Sequence, residues 1–279
     1  MRKLEEKIFK ALMLLASAII IAILLYIIWV ILRKGLPSLN WDMVSKVPSG
    51  GFYLGKEGGI LNAIAGSLMM IAGAVIVATL ISLPVSMYIN FVLRKNSRFS
   101  NIARFGFDIL FGIPSIVYGA FGFMLMIWLG IQASLLGGII AVSLLIIPIM
   151  VRSIDEVAAF VPRDLIEATQ SLGATRYETL KVVYRQLMPG ITTAILLAVG
   201  RGIGDAATVL FTAGYTDSIP TSPGQPAATL PLAIFFQLSS PVEEVQNRAY
   251  AAALILTIII LTLSFLTRYF GNKLSKSKI

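Results

Sequence analysis

Arg201 and Asp205 stand four residues apart in residues 191–214, a 24-residue stretch with no other charge. Read as one helix, the stretch puts both side chains on the same face. At the centre of a membrane helix each would cost about 2.5–3.5 kcal/mol, so they must face a protein interior or a watery path. Two chemistries fit. The pair can lock two helices together as a buried ion pair. Alternatively, Arg201 lines a route for an anion, because a guanidinium stays ionised and offers two parallel donors to an oxyanion. Asp205 then holds Arg201 in place and weakens its grip, since conduction requires release as well as binding. Gly200, Gly202 and Gly204 surround the pair, and Gly200-x-x-x-Gly204 offers a face for close helix packing. A further guanidinium, Arg152, follows Pro148 at the end of another apolar run, where position alone makes it an anchor at the membrane edge.

A second constellation is polar. Residues 167–190 form a helix-prone island between apolar stretches. Gly173 suits a left-handed helix end, and Thr175-Arg176-Tyr177-Glu178 has the form of a capping box, so a new helix starts at Thr175. The pattern reads helix, glycine break, helix, then a stop at Pro189-Gly190. It fits an ordinary surface hairpin, and equally an element gripped from outside the bilayer.

Absences narrow the chemistry. The chain has no Cys and no His, which removes Cys or His nucleophiles, thiolate or imidazole metal ligands, disulfides and Ser-His-Asp catalysis. No G-x-x-x-x-G-K-[ST] occurs, so any uphill work draws on a partner or an ion gradient. The net charge of +9 does not imply nucleic acid, because the basic residues sit at the edges of apolar spans, as topology signals and anionic-lipid contacts.

The elements that must position these residues are membrane helices, in a chain 57% hydrophobic and 13% charged. Apolar runs cover residues 9–32, 61–93, 105–150, 191–214 and 249–267. The first is too long for a signal-peptide core and lacks a cleavage site, so it is retained as a span. At about 1.5 Å per residue the third would be roughly 69 Å long, twice the hydrocarbon thickness, so it folds back at Gly130–Ser134. Six spans result, at 9–32, 61–93, 105–129, 135–150, 191–214 and 249–267. Pro84, Pro114 and Pro148 mark local bends, and Trp29, Trp41 and Trp128 mark interfaces. Residues 230–236 are apolar but too short to span, and suit a re-entrant piece or a cap over the external mouth. With the N-terminus inside, 17 Lys and Arg residues fall on the cytoplasmic side; Arg33, Lys34, Lys46, Lys56 and Arg248 fall outside. This bias puts both termini and the 152–190 loop in the cytoplasm. No repeat of 20–50 residues and no inverted symmetry is evident.

With these residues laid out, the chain resembles the permeases of ABC importers, in particular the PstA-type subunit of phosphate importers. The resemblance runs from about Ile60 to the C-terminus. Its motif of E-A-A…G reads here Glu167-Ala168-Thr169…Gly173, with Val183 at a usual apolar position. The third Ala is Thr, and the usual Leu-Pro ending is Arg185-Gln186. The segments Gly58–Ile64, Gly112–Gly119, Arg201–Ala207 and Leu210–Ala213 are also similar, with Asp205 where the family has Glu. The resemblance implies an all-α, type I ABC importer permease fold in one domain over 1–279. It implies Arg201, Asp205 and Arg152 along the pathway, and Glu167, Ala168, Thr169, Gly173 and Ala174 in coupling to the ATPase. It further implies a PstC-type permease partner and two PstB-type ATPases that bind ATP and Mg. A PstS-type binding protein would dock outside, in a plasma-membrane complex that moves phosphate inward, with no enzyme activity or cofactor in this chain. Permeases for molybdate or sulfate, and a carrier or channel driven by an ion gradient, are the alternatives.

Overall fold

Long apolar runs with polar ends fold here into helices joined by short turns. The computed structural model describes residues 2–49, 57–93 and 97–276; Lys56, Arg94, Lys95 and Lys278 of the charge count lie outside the described residues. The helices are α1 (Arg2–Gly35), α2 (Trp41–Ser45), α3 (Leu61–Met87), α4 (Arg98–Gly112) and α5 (Ser115–Leu129), followed by α6 (Leu135–Ala158), α7 (Arg163–Ser171), α8 (Arg176–Ile203), α9 (Leu230–Leu238) and α10 (Glu243–Lys276). A short antiparallel pair, β1 (Pro48–Ser49) with β2 (Glu57–Gly58), sets Pro48 opposite Gly58. Among the described residues, α1, α3, α6, α8 and α10 are long and apolar enough to cross a bilayer, and α4 with α5 makes a sixth, bent by 101°.

The centre of the bundle is α3 against α6, with α8 packed on α6 and α10 on α8. Ala74 and Ala78 of α3, Ala141 of α6 and Ala194 and Ala198 of α8 are fully buried. Small residues there let the backbones approach closely, which replaces the hydrophobic drive that lipid does not supply. Serine hydroxyls cross the seam to carbonyls: Ser143 to Ala74 (3.4 Å), Ser82 to Ile147 (3.3 Å) and Ser86 to Val151 (3.3 Å). Residue numbers rise together in these contacts, so α3 and α6 run parallel.

Several expected bounds change. The third span, 105–129, is not one helix. Ile113 takes an extended conformation ahead of Pro114, which caps the next helix without a side-chain bond. A proline forbids its predecessor the helical region, and here the local bend becomes a full break. The fourth span continues past 150 to Ala158, whereas the second keeps its expected length, its last turn at Tyr88–Val92 wound as a π helix. The turn at 130–134 forms as expected, with Gly130 at φ +68°.

The largest difference concerns residues 176–214. The helix begun at Thr175 does not stop at Pro189-Gly190 but runs on to Ile203. An interior proline costs about 3 kcal/mol, yet packing overrides it. Val183 and Leu187 before the proline, and Ile191 and Ala194 after it, share one core with Ile154 and Ala158 of α6. Residues 152–190 are therefore the end of α6, α7 and the first half of α8 rather than a separate loop. The expected helix beyond 203 is absent, and residues 204–229 form turns and bends. Such backbone survives at membrane depth only when protein satisfies it. Here Thr208, Val209, Thr212, Ala213, Ala227 and Ala228 are buried. Backbone bonds join Ala227 to Ala213 (2.9 Å) and Leu135 to Gln225 (2.8 Å), and Ser67 accepts from the Leu230 amide (2.8 Å).

Close approach at Gly119 holds this segment against α5: a Cβ there would lie 2.7 Å from the Ala207 carbonyl oxygen and 2.9 Å from that of Thr208. Gly119→Ala is expected to destabilise the protein by about 1–3 kcal/mol, the usual cost of overpacking. Gly112→Ala, with nothing within 4 Å, should leave stability unchanged. Thermal unfolding in detergent checks both.

Candidate functional site

Arg201 occupies the last turn of α8, and Gly204 caps the helix. Asp205 thus lies beyond the helix end, and the expected pair on one helical face does not form. Instead the Thr208 hydroxyl donates to the Asp205 carboxylate and also lies 3.2 Å from the carbonyl of Ser115, the first residue of α5. Asp205 therefore braces the elbow after the 101° bend. Arg201 is exposed and, among the described residues, forms no hydrogen bond or ion pair.

The depth of Arg201 survives the change in helix end. A Cβ at its neighbour Gly202 would meet Ile71, Val142 and Ile146. Ile71 lies ten residues into α3 and Val142 seven into α6, so Arg201 is about 11–15 Å inside those helix ends. A small cavity on the Gly202 side of the helix end, which Arg201 does not line, is walled mostly by apolar side chains such as Met70, Ile71 and Val142, with Ser67, Asp205 and Thr229 as its polar members. Among the described residues, Asn62 Oδ1, Asp217 Oδ1, Thr229 Oγ1 and Gln237 Oε1 are buried without a hydrogen-bond partner. Burial also pushes the Asp217 carboxyl above its ordinary range.

Arg152 lies on α6, six to ten residues beyond the level of Val142 and Ile146, hence about 9–15 Å along the axis from Arg201. The two arginines are steps at different depths, not one binding cluster. Arg152 Nη1 is 3.3 Å from Asp108 Oδ1 of α4, and its Nε is 3.4 Å from Glu156 Oε1. Next to it sits a denser network. Arg104 of α4 donates through Nε to both oxygens of Asp155 (3.1 and 3.0 Å), through Nη1 to Ser100 (2.8 Å) and through Nη2 to Asn90 (3.0 Å). Asn90, in the π turn, donates in turn to Asp155 (2.7 Å). A count of basic residues treats Arg104 only as a topology charge and passes over Asp108, Asp155 and Asn90. The signal was available: Arg104 and Asp108 at i, i+4, and Arg152 and Asp155 at i, i+3, make two complementary charged faces on apolar helices.

The turn of the polar island keeps its expected form, although its second helix does not stop at Pro189-Gly190. Gly173 has φ +81°, a conformation that costs any residue with a Cβ. The Ala174 amide reaches back to the Thr169 carbonyl (3.2 Å). The Thr175–Glu178 capping box is complete. Glu167, Ala168 and Gly173 are exposed, whereas Thr169 and Ala174 are half-buried. The tip also presents Leu172 (88% exposed) and Tyr177 (76%), and Phe160 (85%) is bare ahead of the other end of α7. Apolar side chains so bare beside charged ones mark an interaction surface.

An all-helical bundle with parallel α3 and α6, a broken third span and an exposed helical elbow defines the permease of a type I ABC importer. In a solved inward-facing structure of the MetNI methionine ABC transporter, one chain matches with a TM-score of 0.63 at 18% identity, over 77% of this chain and 95% of that one. The chain belongs to the binding-protein-dependent transport system inner membrane components, whose family model matches residues 82–276. It is 33% identical to the phosphate transport system permease protein PstA of Haemophilus influenzae, over 96% of this chain and 94% of the relative. It is 34% identical to the protein of that name in Xylella fastidiosa (84% and 81% covered) and 32% to that in Yersinia pestis (88% and 83%).

The Arg104–Asp155 bond leaves 29% and 12% of the two side chains exposed. Arg104→Gln is expected to destabilise the protein by about 3 kcal/mol, because it strands a largely buried carboxylate. Adding Asp155→Asn should recover part of that loss, measured by a double-mutant thermal series.

Proposed function

We propose that this chain is a permease subunit through which an ATP-driven importer moves inorganic phosphate into the cytoplasm by alternating access. The names of the relatives support phosphate, and one observation of this chain carries the reading: Arg201 is exposed, without a partner among the described residues, at the depth of the buried α3–α6 core. A fixed positive charge there attracts an oxyanion and binds two of its oxygens. Arg152 offers a second step nearer the other end of α6, and Asp205 keeps the elbow beside Arg201 in shape. Since no single position surrounds the anion with several donors, the cargo is held weakly and released readily.

Energy comes from outside this chain. The exposed tip of α7 and the first turns of α8 fit a groove on a PstB-type ATPase, which binds the ATP and Mg. Glu167, Ala168, Thr169, Gly173 and Ala174 form or brace that tip. A second permease, of PstC type, completes the pathway, and a PstS-type phosphate-binding protein delivers the cargo from outside. Both termini and the island lie in the cytoplasm, following the charge bias. ATP closure of the ATPase pair moves the island because ATP binds the closed pair better than the open one.

The purified complex in vesicles should take up labelled phosphate when ATP is supplied. Arg201→Ala should cut that uptake by about a hundredfold or more, from losing two charge-assisted bonds of about 1.5–3 kcal/mol each, while the complex still assembles. Undiminished uptake would end the pathway reading, and preferential uptake of sulfate or molybdate would reassign the cargo. Glu167→Ala and Gly173→Val should lower ATPase capture in a pull-down or uncouple hydrolysis from uptake. If both variants keep wild-type capture and uptake, the island is not the coupling element.

A further inference from the structure

Helices α4 and α6 face each other with two opposed ion pairs of unequal quality. Arg104–Asp155 is closed: the carboxylate accepts on both oxygens, and every branch of the guanidinium has a partner. Asp108–Arg152 is open, a single 3.3 Å contact with 47% and 39% of the two side chains exposed. The contact to Glu156, on the same helix and more exposed still, is 3.4 Å. Both exceed the length of about 2.7–2.9 Å typical of a charge-assisted hydrogen bond. Arg152 thus has spare donor capacity and two loosely held carboxylates. Together they leave a local charge of minus one, so an arriving oxyanion cannot simply be added; it must replace a carboxylate.

We propose that Asp108 is the counter-ion that the transported oxyanion displaces from Arg152, and so a residue that sets how tightly this step holds its cargo. The proposal rests on the phosphate-permease reading. Glu156 stays on the arginine's own helix whichever group occupies Arg152, whereas Asp108 belongs to α4. Its displacement removes one of the two ion-pair ties between α4 and α6, while the Arg104 network one turn away stays in place. The carboxylate also returns to expel the anion: a tethered competitor at high local concentration keeps occupancy low and exit fast.

The test is labelled-phosphate binding to the permease–ATPase complex in nanodiscs without binding protein, paired with ATP-driven uptake into vesicles. Asp108→Asn should bind phosphate about fivefold more tightly, the upper worth of a part-exposed ion pair, and turn over more slowly. Asp108→Glu should restore both values, and Glu156→Gln should shift binding in the same direction by less. Unchanged or weaker phosphate binding in an assembled Asp108→Asn complex would overturn the proposal, whatever Glu156→Gln does. Because the chain has no cysteine, spin labels at Ile109→Cys of α4 and Ala159→Cys, the residue that caps α6, can follow the α4–α6 separation with Asp108 intact. Saturating phosphate should lengthen that distance, and an unmoved distance counts against displacement even if Asp108→Asn fails to assemble. Wild-type vesicles that take up no phosphate would instead sink the permease reading. Normal uptake with unaltered binding in the Asp108→Asn complex sinks this proposal alone.

Discussion

Helix α8 joins the exposed island to the interior as one continuous helix, lacking only the backbone bond that Pro189 cannot donate. It spans Arg176 to Ile203, about 42 Å of rigid rod. Its first turn is fixed by the Thr175–Glu178 box, its middle by the core shared with α6, and its last turn carries Arg201. A helix that stopped at Pro189-Gly190 would put a hinge between the two ends, and a push on the island would be lost in bending. Packing on both sides of Pro189 removes that hinge. In the proposed cycle, the force applied by an ATPase and the charge offered to the cargo therefore belong to one body.

The same demand for internally satisfied backbone explains the irregular parts. The third span breaks at Ile113-Pro114, and the chain after α8 abandons helix altogether. Each break exposes amides and carbonyls that hydrocarbon cannot solvate. The structure answers by pressing the two breaks together. Thr208 bridges Asp205 to Ser115, and Gly119 admits the 207–208 backbone to close contact. An acidic residue whose sequence position suggested service to Arg201 instead ties two non-helical corners together, which leaves Arg201 without a counter-ion among the described residues.

Charge is distributed with equal economy on α4 and α6. The Arg104 network is mostly buried and saturated, so it holds the helices in register. The Arg152 contacts are longer and wetter, so they hold little. Burial and donor count, not the identity of the residues, separate an anchor from an exchangeable pair. Arg104 and Arg152 are the same residue type in similar helical surroundings, with opposite consequences.

Composition and periodicity alone determined that the chain is a helical membrane protein of about six crossings, that Gly173 and Thr175–Glu178 make a capped elbow, and that Arg201 lies deep. These depend on local propensity and on the length of apolar runs, which act over neighbouring residues. Only the tertiary structure decided that Pro114 breaks a span whereas Pro189 does not, that Asp205 pairs with Thr208 rather than Arg201, and that Asp108 and Asp155 find arginines on another helix far along the chain. The physical reason is common to all of these. A proline's cost of about 3 kcal/mol, or a carboxylate's choice of partner, is settled by the contacts that other helices bring to it, and a linear chain does not contain those contacts until it has folded.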